Sequence, residues 1–168
     1  RVIGWRLPAG DFHRYADGAD LSQVGVERFT DLPGLTVHAD HRQGLEVGID
    51  LFKGRDVKGK AVLVHTGWDE NWDTGRYFEA HPFITEEAAL YLRDAGVRLV
   101  GIDSMNIDDT RGGTRPVHSA LLRAGVIIAE HLCNLGQLEE RDYTFHAVPP
   151  RFKGVGTFPV RAYARFDQ

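Results

Sequence analysis

With 168 residues, 42% of them hydrophobic, the chain is long enough to fold as a single domain, 1–168, around its own core. Its 20 basic and 24 acidic residues give a formal net charge of -4 without a long block of like charges, which argues against nucleic-acid and membrane-surface partners. No apolar run approaches the ~18 residues of a membrane span, and the N-terminal residues lack the apolar core of a signal peptide. The cytoplasm is therefore the expected location.

Short apolar runs between turn signals predict β-strands along most of the chain. The six predicted strands are GLTVHA (34–39), KAVLVHT (60–66), RLVGID (98–103), GVIIAEHL (125–132), YTFHAV (143–148) and PVRAYARF (159–166). Several of them are apolar throughout, which is typical of strands that are covered on both faces.

Helical segments alternate with these strands, and the clearest is TEEAALYLRDAG. Thr85 is suited to cap its N-terminus and Gly96 to close its C-terminus. Its expected buried face consists of Ala88 and Leu92 with either Ala89 or Ala95. The alternation predicts an α/β fold with a central β structure and flanking helices.

A second helix is predicted in RPVHSALLRAG, with Pro116 in its first turn and Gly125 at its end. At about 1.5 Å per residue this helix is only ~11 Å long. A chain that runs along the helix, turns at Gly125 and returns through VIIAEHL can bring Glu130 beside His118.

His118 and Glu130 are the first candidate site residues. A carboxylate in a run such as VIIAEHL must be paired, protonated or coordinated if it is buried, and His131 is expected on the other face of that strand. An imidazole and a carboxylate are two of the three or four ligands that zinc or manganese takes from a protein. The alternative interpretation is an ordinary hydrogen-bonded pair.

Two further groups of residues follow predicted strands, where α/β proteins gather their sites. His65, Trp68 and Trp72 in VLVHTGWDENW resemble the lining of a pocket for an aromatic ligand, although core packing explains the tryptophans equally well. The loop GIDSMNIDDTRGGTRP contributes polar candidates, which otherwise solvate or cap the loop: Asp103, Asn106, Asp108 and Asp109.

The remaining histidines and the cysteine are expected to be structural or exposed. His38 and His41 are predicted on the surface, and His81 and His146 in structural roles. Cys133 is the single cysteine, so no intramolecular disulfide can form, and its apolar segment EHLCNL predicts a buried thiol.

Taken in order, several segments resemble the cyclase family of metal-dependent hydrolases, which includes bacterial kynurenine formamidase and isatin hydrolase. The resemblance extends from about Asp11 to Phe166. It rests on FHRYADGADL, VLVHTGWD, HPFITEEAALYLRDAGVRLVGIDSMNIDD, RPVHSALLRAGVIIAEHL and HAVPPRFKGVGTFPVRAYA.

The resemblance implies an α/β fold, commonly assembled as a homodimer or higher oligomer. It implies a divalent metal, zinc or manganese, bound by an N-terminal motif His-x-Gly-Thr-His-x-Asp-x-Pro-x-His together with a distant His and Glu. His118 and Glu130 match the distant pair. His13 matches the last His of the motif, which acts as a general acid or base.

The rest of this motif is not found in the sequence. Counting back from His13, its ligand positions fall on Ala9, Leu7 and Ile3, whose side chains cannot bind a metal, and the usual N-terminal strands are missing. Either the chain is truncated or altered before Asp11, or this member of the family has lost the metal.

The resemblance implies hydrolysis of an amide, formamide or lactam C–N bond in an aromatic small molecule, with His13 carrying the proton. The alternative is a degenerate, metal-free member that binds a small molecule or acts as a structural partner. A third possibility is catalysis without a metal, with His13, His118 and Glu130 as acid and base groups.

Overall fold

The computed structural model describes residues 19–138 and 141–166. Its strands are β1 (Leu32–His38), β2 (Glu46–Val47), β3 (Ala61–His65), β4 (Phe83–Ile84), β5 (Leu99–Ile102), β6 (Ile127–Ala129), β7 (Thr144–His146) and β8 (Tyr163–Arg165). Its α-helices are α1 (Glu86–Asp94) and α2 (Pro116–Arg123). Within the described ranges, no helix is long and apolar enough to cross a bilayer.

Six strands form one mixed sheet in the order β6-β5-β3-β1-β7-β8. Strands β1, β3, β5 and β6 run parallel, whereas β7 is antiparallel to β1 and β8 is antiparallel to β7. Because the four parallel strands end at the same edge of the sheet, the loops that follow them meet there. The predicted α/β class and both predicted helices are confirmed, and each of the six predicted strand segments contains a strand, although β6 and β8 are much shorter than predicted.

The two short strands β2 and β4 are not predicted from the sequence. β2 and β4 have two residues each and form a separate parallel pair. A two-residue strand contains no alternation from which it can be recognised, and only the distant partner defines it.

The core lies on both faces of the six-stranded sheet. On one face, Val62, Val64 and Ile102 pack with Leu92 of α1 and Leu121 of α2. On the opposite face, a second cluster contains alternate residues of the same strands, including Ala61, Leu63 and Leu99, together with Leu132, Leu135 and Phe145. The central strands are therefore covered on both sides, which explains why they are apolar throughout.

The predicted boundaries of α1 are produced by local chemistry. The Thr85 hydroxyl accepts a hydrogen bond from the Ala88 N–H at 3.2 Å, which satisfies one of the first N–H groups of the helix. Ala88, Ala89 and Leu92 are the buried residues of this helix. Gly96 follows with a φ of 80°, the left-handed conformation in which glycine carries no steric penalty.

Replacing Thr85 with Ala is expected to lower the free energy of unfolding by about 1 kcal/mol, because the Ala88 N–H loses its acceptor. Thr85→Ser keeps the hydroxyl and is the matched control, expected to stay within about 0.5 kcal/mol of the wild type. Urea denaturation measures both values. Equal destabilisation by Ala and Ser would assign the effect to the Thr85 methyl group instead of the cap.

Candidate functional site

The structure brings His118 and Glu130 together on the helix-covered side of the sheet. His118 lies in the first turn of α2, and Glu130 follows β6 directly. The chain reverses between them at Gly125, which has a φ of 71°. The His118 Nε2 atom lies 3.6 Å from Glu130 Oε1, and the two side chains are only 6% and 12% exposed. The encounter expected from the short helix is therefore present.

Asp108 fixes the orientation of the His118 ring. The ring nitrogen Nδ1 lies 2.5 Å from Asp108 Oδ2, and the backbone N–H groups of Val117 and His118 donate to the same carboxylate at 2.7 and 3.0 Å. Burial works to raise the pKa of Asp108, but these hydrogen bonds outweigh it and lower the pKa. Because an ionised carboxylate only accepts, it selects the tautomer with the proton on Nδ1 and turns Nε2 toward Glu130.

Glu130 is held by the loop that carries Asp108. Its Oε1 atom accepts a hydrogen bond from the Ile107 N–H at 2.7 Å. Burial raises the pKa of Glu130, while the charge of His118 and the Ile107 hydrogen bond oppose the rise. The carboxylate of Glu130 is thus held beside His118 by a backbone N–H group.

The donor chemistry of this pair fits a divalent ion of the zinc type. Nitrogen and oxygen ligands bind zinc at about 2.0–2.2 Å, so atoms 3.6 Å apart can reach the same ion. However, His118 and Glu130 are only two ligands. Within residues 19–138 and 141–166, no three or more His, Cys, Asp and Glu side chains are grouped so that they could hold a metal. Ile3, Leu7 and Ala9 supply no ligands, and they lie outside the described residues, as does His13.

The other polar candidates of this loop, Asp103, Asn106 and Asp109, make hydrogen bonds or ion pairs within the fold. Asp103 accepts from the Thr66 N–H, the Thr66 hydroxyl and the Gly67 N–H at 2.5 to 3.0 Å, and so holds the turn that follows β3. Burial, only partly offset by these hydrogen bonds, raises its pKa to about 6. Asn106 accepts from the Asp108 N–H, while Asp109 is paired with Arg111.

Trp72 and Tyr77 form an aromatic cluster with His131, the residue that follows Glu130 in the chain. Trp72 contacts Tyr77 with ring centroids 4.9 Å apart and His131 at 6.2 Å. The Tyr77 hydroxyl is hydrogen-bonded to His131 Nδ1 at 2.9 Å. Burial lowers the pKa of His131 to about 4. The pKa of Tyr77 is raised, first by burial and then by the negative charges of Asp103 and Glu130.

His131 reaches this cluster because its backbone adopts a left-handed φ of 57° directly after Glu130. Tyr77 and His131 were not recognised as site residues from the sequence. Tyr77 lies in a 3-10 turn (Gly75–Phe78) without periodicity, and the backbone reversal at His131 overrides the alternation expected of a strand.

Two of the three predicted pocket residues lie elsewhere. Trp68 is 3% exposed, and its indole N–H donates to the Tyr77 carbonyl at 3.2 Å, so it supports the loop from within the core. His65 alternates along β3 with Ala61 and Leu63 of the second core cluster, which places its side chain on the face opposite α1 and α2. Trp72 alone of the three contacts the residues next to Glu130.

The remaining expectations divide between confirmed and wrong. His38 is exposed as predicted, but His41 is 8% exposed because its Nδ1 is bonded to the Thr66 carbonyl and its ring packs edge-on against Trp68. Cys133 is half-buried instead of buried. His81 and His146 are buried, and each makes hydrogen bonds within the fold.

Comparison with known proteins identifies relatives of this chain. The profile of the Cyclase family, described as "Putative cyclase", matches residues 10–109. A kynurenine formamidase of Geobacillus thermodenitrificans (strain NG80-2) is 33% identical over 134 residues, which is 79% of this chain and 62% of that protein. The chain thus spans less than two thirds of that relative's length.

Solved structures give the same result for the fold. A predicted metal-dependent hydrolase from Bacillus stearothermophilus is 31% identical, with a TM-score of 0.69 over 87% of this chain and 69% of that one. Isatin hydrolase A from Ralstonia solanacearum has a TM-score of 0.79 over 89% of this chain and 65% of that one. At 22% identity, the second comparison shows a common fold and no more.

Asp108→Ala is expected to lower the free energy of unfolding by about 3 kcal/mol, because it leaves the buried N–H groups of Val117 and His118 without an acceptor. Asp109→Ala, one residue away and outside this network, is the matched control and is expected to cost less than about 1 kcal/mol. Urea denaturation provides the stability. Nitrogen-15 NMR of the imidazole should show a loss of the Nδ1-protonated tautomer of His118 in Asp108→Ala. Equal costs and an unchanged tautomer would contradict this role.

Proposed function

Because this chain belongs to the cyclase family, we propose that it works as a hydrolase that cleaves an amide, formamide or lactam C–N bond of an aromatic small molecule. The names of the relatives support this proposal, since kynurenine and isatin are both aromatic compounds. The observation that carries it is the buried His118–Glu130 pair, in which Asp108 orients the His118 imidazole.

We propose His118 and Glu130 as two ligands of a zinc or manganese ion. Such an ion, when bound, supplies Lewis acidity and a water of lowered pKa. The chain's own contribution is orientation: Asp108 keeps the Nε2 lone pair of His118 turned inward, and the Ile107 N–H keeps Glu130 Oε1 opposite it. A nitrogen lone pair and a carboxylate that face each other favour a cation between them.

The substrate needs a proton donor and a surface for its ring. In this proposal His13 delivers the proton to the leaving nitrogen, as the family motif implies. Trp72 and Tyr77 offer aromatic faces next to Glu130, where edge-to-face or offset contact with a substrate ring is favourable. Trp68 supports this wall through the Tyr77 carbonyl, and we assign it and His65 no direct contact with the substrate.

A second candidate function is small-molecule binding without a metal, or a role as a structural partner. The residues at the motif positions favour it, because Ile3, Leu7 and Ala9 cannot replace the missing ligands. Metal-free catalysis by His13, His118 and Glu130 is the intermediate case. Metal content and activity, measured on the same preparation, separate the three.

The cellular setting is part of the proposal. We infer a small-molecule substrate, a cytoplasmic location, one domain over 1–168 and a homo-oligomeric assembly. The net charge of -4 without charged blocks argues against nucleic-acid and membrane-surface partners.

The test of the hydrolase is activity and metal content in parallel. The purified protein is expected to contain zinc or manganese and to hydrolyse the formamide of kynurenine or the lactam of isatin. Glu130→Gln preserves the shape of the side chain but removes its charge, so we expect a loss of kcat/KM of about 10²-fold or more together with weaker metal binding. Glu70→Gln alters an exposed carboxylate on a different loop and is the matched control.

Each outcome of this experiment has a defined meaning. Bound metal with Glu130-dependent turnover supports the hydrolase. Turnover that survives chelation but is lost in His13→Ala assigns catalysis to acid and base groups alone. Absence of turnover in the presence of either ion contradicts the proposed hydrolase and leaves the binding role.

The two tryptophans should respond differently to replacement. Trp72→Ala is expected to raise KM for an aromatic substrate about tenfold with little loss of stability, because its ring is half-exposed and contacts His131, the residue after Glu130. Trp68→Ala is expected to lower the free energy of unfolding by about 3–5 kcal/mol, because it empties a core position. Steady-state kinetics and urea denaturation measure the two effects. A raised KM in Trp68→Ala and a loss of stability in Trp72→Ala would instead place the substrate pocket beside Trp68.

A further inference from the structure

Two histidines face each other at the ends of neighbouring strands, away from the site described above. His38 ends β1 and His65 ends β3, and the two residues are register partners in these parallel strands. Their Nδ1 atoms are 3.2 Å apart, and the rings meet edge to face at 63°. Neither residue is used by the proposed hydrolase.

The separation of the two nitrogens matches a pair of metal ligands. Two Zn–N bonds of about 2.0–2.1 Å that meet at angles between a right angle and a tetrahedral angle span about 2.8–3.4 Å. The same separation is also that of a hydrogen bond, in which one ring donates from Nδ1 and the other accepts. An ion takes the place of that proton when the donor ring shifts its proton to Nε2, so the neutral pair loses no proton in the exchange.

The two rings differ in burial. His65 is half-buried, and the backbone of Gly136 lies against its ring, since a Cβ at Gly136 would be only 3.0 Å from His65 Cε1. His38 is exposed. The strand ends are joined by the Ala39 N–H, which donates to the His65 carbonyl at 2.8 Å. The pair thus joins a half-buried ring to an exposed one at the ends of two hydrogen-bonded strands.

We propose that His38 and His65 form a two-histidine site for a transition-metal ion such as Cu²⁺, Ni²⁺ or Zn²⁺, which ties the end of β1 to the end of β3. Neutral imidazole suits these borderline ions, whereas Mg²⁺ and Ca²⁺ prefer oxygen ligands. Water completes the coordination, so the site binds more weakly than one with three or four protein ligands.

This site is independent of the proposed hydrolase centre. His65 projects to the face of the sheet that carries Leu63, whereas His118 and Glu130 lie on the face that α2 covers. Loss of one site should therefore leave the other unchanged. This separation allows each proposal to fail without the other.

The test uses Cu²⁺ as the probe in protein that carries His118→Ala, which removes the other candidate site. We expect electron paramagnetic resonance to show two imidazole nitrogens on the copper, and the thermal midpoint to rise with copper because the folded state binds the ion. Addition of His38→Asn should weaken copper binding at least about tenfold in calorimetric titration and abolish the two-nitrogen signal. His38 is exposed, so this variant should keep its fold.

Two further variants complete the design. Asp40→Asn changes a carboxylate two residues from His38 that is paired with Arg42, and it should leave the copper affinity within about twofold if imidazoles carry the site. His65→Asn, with its fold checked by circular dichroism, should reproduce the loss seen with His38→Asn. Copper affinity that is unchanged in His38→Asn, or copper bound by a single nitrogen, would overturn the proposal and leave the pair as a hydrogen bond.

Discussion

The candidate site depends on the carboxylate of Asp108. This one group accepts the first N–H groups of α2 and the Nδ1 proton of His118, so the position of the helix and the direction of the imidazole are set together. The hydrogen bond with the His118 ring, followed by those from the backbone N–H groups at the helix N-terminus, lowers the pKa of Asp108 despite its burial. Glu130 is positioned by the same loop through Ile107. Helix, loop and strand thus meet at two carboxylates and one imidazole.

Much of the fold could be predicted because its signals are local. The strands are apolar throughout since they are covered on both faces, and Thr85 and Gly96 mark the ends of α1 by their own conformational chemistry. The approach of His118 to Glu130 was also accessible, because it requires only a short helix and a turn at Gly125. The length of a helix follows directly from its number of residues.

The parts that could not be predicted depend on contacts between distant segments. Asp103, Asp108 and Asp109 are the same residue type in one loop, and only the position of α2 separates the carboxylate that orients His118 from its neighbours. Alternation along β3 groups His65 with Ala61 and Leu63, but which face of the sheet α1 and α2 cover is decided by packing that no local pattern records. Tyr77 and His131 meet through a 3-10 turn and a left-handed residue, neither of which has a periodic signature.

The shortness of β6 restricts how this region can vary in length. Glu130 comes directly after a three-residue strand, and successive strand residues project to opposite faces. One extra or missing residue between Gly125 and Glu130 would turn the carboxylate away from α2 and into the apolar layer around Leu135. A change of one residue in this short segment therefore moves Glu130 to the opposite face, whereas a change of two residues keeps it on the same face. The exposed loops around Phe152 and Phe158 can change in length without reorienting His118 or Glu130.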